Sequence, residues 1–225
     1  MDFIYATTLQ SSKMLALRRI CNDVSSRDFA KCVKRIFNVL EKKNISKSND
    51  DPFTKRILAA AGGMTTEQWD AAERQRRYEK ALSMVIGDFH EELMGKFRGY
   101  KTLPLGHSSG LDVESVNGDE IFEVKNRDNT MNSGSAETVI RKLVKASDSG
   151  KKAILVLVNS VKKTLPRFKA PKEIQVWDGK KAYAHLSGRD DFYNDLLDTL
   201  DDVFTNYKTY AEFEKGIEQS EIQSP

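Results

Sequence analysis

Residues 153–158 read Ala-Ile-Leu-Val-Leu-Val, an unbroken apolar run framed by Lys151-Lys152 and Asn159-Ser160. The run is far too short to cross a membrane. It lacks the polar alternation that would leave one strand face in water. Its length and β-branched content read as a strand buried on both faces, which needs layers packed over it on either side. Helical patterns flank it in the sequence. Residues 136–146 place Val139, Leu143 and Val144 on an inward stripe behind a cap at Ser135, and a strand-like segment precedes them at 120–124. Strand, helix, strand in that order implies a right-handed crossover and a parallel pair. The expected fold is α/β: a mixed central sheet flanked by helices, with a helical N-terminal elaboration.

The remaining segments fill out that frame. Ser26 is placed to cap a helix reaching about residue 43, with Phe29, Val33, Ile36, Phe37 and Leu40 on one face. Residues 13–21 have the pattern of a further short helix. Residues 53–61 read as a helix stopped by Gly62-Gly63. Thr65 with Gln68 three positions on is a capping-box pair, opening the longest helix, to about residue 97 or 99. Its inward stripe is Leu82, Ile86, Phe89, Leu93 and Phe97. Residues 174–177 and 182–186 read as a second hairpin about Asp178-Gly179. Residues 191–207 read as a helix with Phe192, Leu196, Leu197, Leu200 and Phe204 inward. The expected division is 1–63 helical elaboration, 64–216 core, and 217–225 a frayed tail. Two cysteines, Cys21 and Cys32, without metal spacing, and no signal-peptide pattern at the start, lead to the expectation of a reduced, cytoplasmic protein with no membrane partner.

Chemistry concentrates in residues 106–133. Asn117-Gly118 is a strong hairpin signal of the type I′ kind, lying between strand-like runs at 111–116 and 120–124. Folding back at that turn brings Asp112 toward Glu123-Val124-Lys125. Residues two apart on a strand share a face, so Glu123 and Lys125 point together while Phe122 and Val124 point into a core. Two carboxylates and a lysine suit hydrolysis of a phosphodiester. The acids hold Mg²⁺, which favours oxygen ligands. The lysine supports the attacking water and the charge that develops on the phosphate. A solvated hairpin with ordinary surface charges carries the same spacing, and Glu114, on the same face as Asp112, is a rival ligand.

Three blocks tip that balance: Gly106-His107-Ser108-Ser109-Gly110-Leu111-Asp112-Val113, Phe122-Glu123-Val124-Lys125-Asn126, and Asn129-Thr130-Met131-Asn132-Ser133. Together they resemble the PD-(D/E)xK nuclease superfamily, and more closely the type II restriction endonucleases that recognise GGNCC-type sites. Leu111 departs from the pattern, which has proline before the first acid. The resemblance implies that Asp112 and Glu123 are metal ligands and Lys125 is catalytic. It also implies that an acid on the preceding helix assists. That acid is expected to be Glu92, about 80° from the centre of the buried stripe, with Glu91 nearly opposite the stripe; a plain surface charge is its other reading.

The implied substrate is double-stranded DNA with a short near-palindromic site, GGNCC-like, cut to 5′-phosphate ends with Mg²⁺ by a homodimer. A structure-selective repair or junction-resolving nuclease, and a non-catalytic DNA-binding protein on the same fold, stay open as alternatives. Expected DNA contacts are His107, Ser108 and Ser109 in the glycine-bounded loop, and Asn126, Arg127, Asn129, Thr130, Asn132 and Ser133 after the second acid. Lys162, Lys163, Arg167 and Lys169 in the basic loop 161–173 complete the set. Charge placement agrees: residues 1–63 carry +6 and 101–188 carry +5, while 189–225 carry −7. A basic body with an acidic end suits a polyanion bound on one side, although solvated faces alone also explain such a distribution.

Overall fold

The computed structural model describes residues 17, 19–42, 51–127, 133–160 and 170–222. Helices α1 (Ser26–Glu41), α2 (Pro52–Gly62) and α3 (Thr66–Met94) lead into strands β1 (Tyr100–Thr102), β2 (Val113–Ser115) and β3 (Glu120–Lys125). Helix α4 (Ser133–Asp148) precedes β4 (Lys152–Leu157), and β5 (Ile174–Asp178) is followed by α5 (Gly179–Ser187), α6 (Phe192–Asn206) and α7 (Tyr210–Ile222). The sheet order is β1-β2-β3-β4-β5. The β1–β2 and β2–β3 pairs are antiparallel, and the β3–β4 and β4–β5 pairs are parallel. This is the mixed α/β sheet expected from the buried run at 153–158.

Strand alternation divides the core between the two sheet faces. Phe122, Val124, Ile154 and Val156 face a core shared with α1, α3, α5, α6 and α7. Ile121, Ala153, Leu155 and Leu157 face a second core closed by Val139 and Leu143 of α4. Every residue of β4 after Lys152 is buried, as a strand covered on both sides requires. The larger core is rich in edge-to-face rings, among them Phe29 against Phe89 and Phe97 against Phe192.

Several local expectations are corrected. The segment 182–186 is the body of α5, not a strand: Asp178 caps it by accepting from the Lys181 N–H, and Ala182, Tyr183 and Leu186 are buried at helical spacing. Short Ala/Tyr/Leu alternation fits either period, and the cap decides. The α1 cap is Ser25 rather than Ser26. The β2–β3 loop is wider than a two-residue type I′ turn. Only Gly118 takes positive φ (80°), and the Gly118 N–H donates to the Ser115 carbonyl at 2.9 Å. Leu197 is exposed rather than inward. Residues 217–222 continue as α7, with Ile217 buried in the larger core. Of the segment 13–21, only residues 17 and 19–21 are described, and 19–21 lie in turns.

Gly95 ends α3 and fixes how closely that helix approaches the sheet edge. A Cβ there would collide with the main-chain nitrogen and side chain of Thr102 on β1. Gly95→Ala is expected to destabilise the protein by about 1–3 kcal/mol through that overpacking, measured as a lowered denaturation midpoint in urea.

Candidate active site

Register brings the two acids together. Val113 sits opposite Phe122 and Glu114 opposite Ile121, so Asp112 faces the Glu123 end of β3. The Asp112 N–H donates to the Phe122 carbonyl at 3.0 Å. The Val124 N–H in turn donates to Asp112 Oδ2 at 2.8 Å, aiming the carboxylate along the strand. Glu123 and Lys125 lie on the side of the sheet away from the core that takes Phe122 and Val124.

Lys125 is the centre of the group. Its Nζ lies 2.7 Å from Glu123 Oε1 and 3.5 Å from Asp112 Oδ2, and donates to the Val124 carbonyl at 2.8 Å. Burial opposes the charge on this ammonium, but the carboxylates of Asp112 and Glu123 outweigh it and hold the lysine above its ordinary range. Burial first, and the Asp112 charge second, push Glu123 up. Glu123 Oε2 is buried with no hydrogen-bond partner among the described residues. A buried carboxylate oxygen left unpaired is costly unless something else meets it.

On α3 the acid on which the charges of this group act is Glu91, not the expected Glu92. Burial, then the Asp112 carboxylate, push Glu91 up to about 7; Lys125, Asp88 and Glu123 also act on it. Glu92 answers instead to Arg35, Asp88 and Lys96, on the flank facing α1, and is raised mainly by burial. The stripe of Leu82, Ile86, Phe89, Leu93 and Phe97 leaves out His90 and Met94, which the fold also buries. Counting them centres the buried arc so that both acids lie about 130° from it. Only the neighbours on each flank then separate them. His90 is a packing residue, its Nδ1 2.8 Å from the Tyr183 hydroxyl.

Glu114 is not a rival ligand. It pairs with Lys101 at 3.1 Å and with Lys151, and the Lys151 hydrogen bond leads in holding its carboxyl below the usual range. In the loop before Asp112, His107 Nδ1 accepts from the Ser109 N–H at 3.3 Å and lies 2.8 Å from Ser109 Oγ. Ser109 Oγ accepts from the Leu111 N–H at 3.2 Å. His107 and Ser109 therefore shape the loop, while Ser108 is exposed. Asn126 is corrected as a groove contact: it is buried, and its Oδ1 accepts from Asn159 Nδ2 at 2.6 Å, tying the ends of β3 and β4. Arg127 is exposed where the chain leaves β3, and Ser133 begins α4. Asn129, Thr130, Asn132, Lys162, Lys163, Arg167 and Lys169 lie outside the described residues.

The donor set fits a hard divalent cation. Among the described residues no three His, Cys, Asp or Glu side chains close on one point. Magnesium is commonly held by one or two carboxylates and keeps several waters. Asp112, Glu123 with its unpartnered Oε2, and the Val124 carbonyl already surround one cationic group, the ammonium of Lys125.

An α/β sheet whose inner β2–β3 hairpin carries two acids and a lysine on one face defines a core of the restriction-endonuclease kind. The profile of the Eco47II restriction endonuclease family matches residues 22–209. The chain belongs to that family and is a type II restriction endonuclease. It is 23% identical over 199 residues to the type II restriction enzyme Sau96I of Staphylococcus aureus, covering 77% of this chain and 75% of that one. It is 25% identical over 171 residues to the type II restriction enzyme Eco47II of Escherichia coli, covering 67% and 70%. No solved structure matches it. Among the described residues no helix is long and apolar enough to cross a membrane.

The Glu91 carboxyl has a stability consequence with a definite sign. The folded state keeps its proton to about pH 7, whereas an ordinary glutamate releases it near 4.5. The folded state therefore binds the extra proton between those values, and stability falls as pH rises across that window. Glu91→Gln cannot ionise. It is expected to be about 1–2 kcal/mol more stable than the wild type at pH 8, after discounting for solvent screening, and equal to it at pH 4. Urea melts at the two pH values check this.

Proposed function

We propose that the chain is a Mg²⁺-dependent endonuclease of PD-(D/E)xK type, acting as a homodimer on double-stranded DNA. Its site is short and near-palindromic, GGNCC-like on the resemblance of its motifs, and its products carry 5′-phosphates. The observation that carries this reading is the gathering of Asp112, Glu123 and the Val124 carbonyl about the Lys125 ammonium. Asp112 and Glu123 would hold the metal. A divalent cation there supplies charge neutralisation for the phosphate and lowers the pKa of a water.

The chain's own groups do the rest. The Val124 N–H keeps the Asp112 carboxylate turned toward Glu123. Lys125, held protonated by its acidic neighbours, acts as a hydrogen-bond donor to the attacking water and to a phosphate oxygen, stabilising charge where it develops. Glu91, with a carboxyl near 7, is suited to accept or return a proton at working pH. Arg127 and the segment after it contact DNA as the chain leaves the site, with Asn129, Thr130, Asn132 and Ser133 offered to the bases or phosphates. Lys162, Lys163, Arg167 and Lys169 track the backbone. A palindromic site calls for two copies of the centre related by a two-fold axis.

Asp112→Ala and Lys125→Ala are each expected to lower cleavage of plasmid DNA in Mg²⁺ by at least about 10³-fold, the scale of losing one transition-state donor, while duplex binding persists. The wild type is expected to bind Ca²⁺ in a calorimetric titration, and Asp112→Ala is expected to lose that binding. Full cutting by both variants would overturn the assignment. Sequencing the ends of a plasmid digest reads the recognition site and cut position.

A further inference from the structure

Basic side chains around the ribbon are mostly neutralised by carboxylates. Lys101 and Lys151 share Glu114, Lys152 pairs with Glu120 at 2.6 Å, and Lys125 pairs with Glu123. Lys142 on α4 differs. Its Nζ donates to the main-chain carbonyl of Gly110 at 2.7 Å, and among the described residues it has no carboxylate within ion-pair distance. The helix that carries it packs on the sheet face to which Glu123 points, and its charge is one of those acting on Glu123. Gly110 lies two residues before Asp112 and takes φ 63°; a Cβ there would come within 2.9 Å of Lys142 Nζ. Glycine at this turn thus serves both the backbone conformation and the lysine's approach.

A neutral carbonyl orients an ammonium without cancelling its charge. Only one of the three N–H groups is spent on Gly110, and the side chain is half-buried rather than sealed. A DNA phosphate coming to Asp112 and Glu123 meets a field dominated by acids, and Lys142 is a pre-positioned positive charge at the edge of that field. From this arrangement we infer that Lys142 is a phosphate-binding residue of the enzyme, contacting the DNA backbone beside the loop that delivers Asp112. The inference rests on the reading of this ribbon as the cleavage centre. It adds a contact on the crossover helix, on a different element from the three loops already expected to hold DNA.

Salt dependence separates a phosphate contact from a mere loop tether. Each phosphate neutralised contributes about 0.9 to the slope of log binding constant against log salt concentration. Binding of a fluorescent random-sequence duplex is followed by anisotropy in Ca²⁺ across a KCl series. Lys142→Gln is expected to weaken binding and to lower that slope by about one unit, with Lys142→Arg retaining the wild-type slope. In the wild type, duplex DNA is expected to protect Lys142 from acetylation several-fold, read by mass spectrometry, relative to the exposed Lys80 of α3. This second measurement stands even where Lys142→Gln fails to fold. An unchanged slope in a folded Lys142→Gln, or equal acetylation with and without DNA, overturns the inference. If that happens while Asp112→Ala still abolishes cutting, only the role of Lys142 is lost; if Asp112→Ala cuts normally, the reading of the centre falls with it.

Discussion

Carboxylates brought together at the edge of a protein core repel one another, and burial raises the cost of each charge. The structure meets this with one ammonium. Lys125 stands among Asp112, Glu123 and the Val124 carbonyl, and Glu91 carries a pKa high enough to hold its proton below about 7. The ribbon β2–β3 keeps its shape in spite of its acids because the lysine is two residues from one of them and reaches both. The same ammonium that offsets the repulsion keeps these oxygens turned toward one point.

Strand β3 joins architecture and chemistry through its period of two. Phe122 and Val124 enter the larger core, where helices from both ends of the chain meet, while Glu123 and Lys125 face the other way. Fixing two core residues fixes the aim of the two polar ones, since a slip of one position would exchange the faces. The Val124 N–H bond to Asp112 then carries the register across to the neighbouring strand. Glu91 is delivered by α3 from one layer and Lys142 by α4 from the other. Small changes at Gly95 or Gly110, remote from the acids in chemical character, therefore bear on the geometry of the centre.

The family match spans residues 22–209 and so contains α1 through α6 together with the centre. Helix α1 shares the core that backs β3 rather than standing apart from it. Family membership decides between the restriction endonuclease and the repair or junction-resolving readings that the same core would allow.

The sequence by itself determined the strand buried at 153–158, the capped start of α3, the fold-back between Asp112 and Glu123, and the common aim of Glu123 and Lys125. Each of these is a local matter of period, cap chemistry or spacing along one segment. Tertiary structure alone decided which acid of α3 joins the centre, because Glu91 and Glu92 flank the buried arc equally and only their neighbours distinguish them. It also withdrew Asn126 into a bond with Asn159, gave Glu114 to Lys101 and Lys151, and set Lys142 against Gly110. Those outcomes depend on partners far away in the chain, 32 residues in the case of Lys142 and Gly110. No local period or spacing carries such information, since it arises only when layers pack and charges find one another.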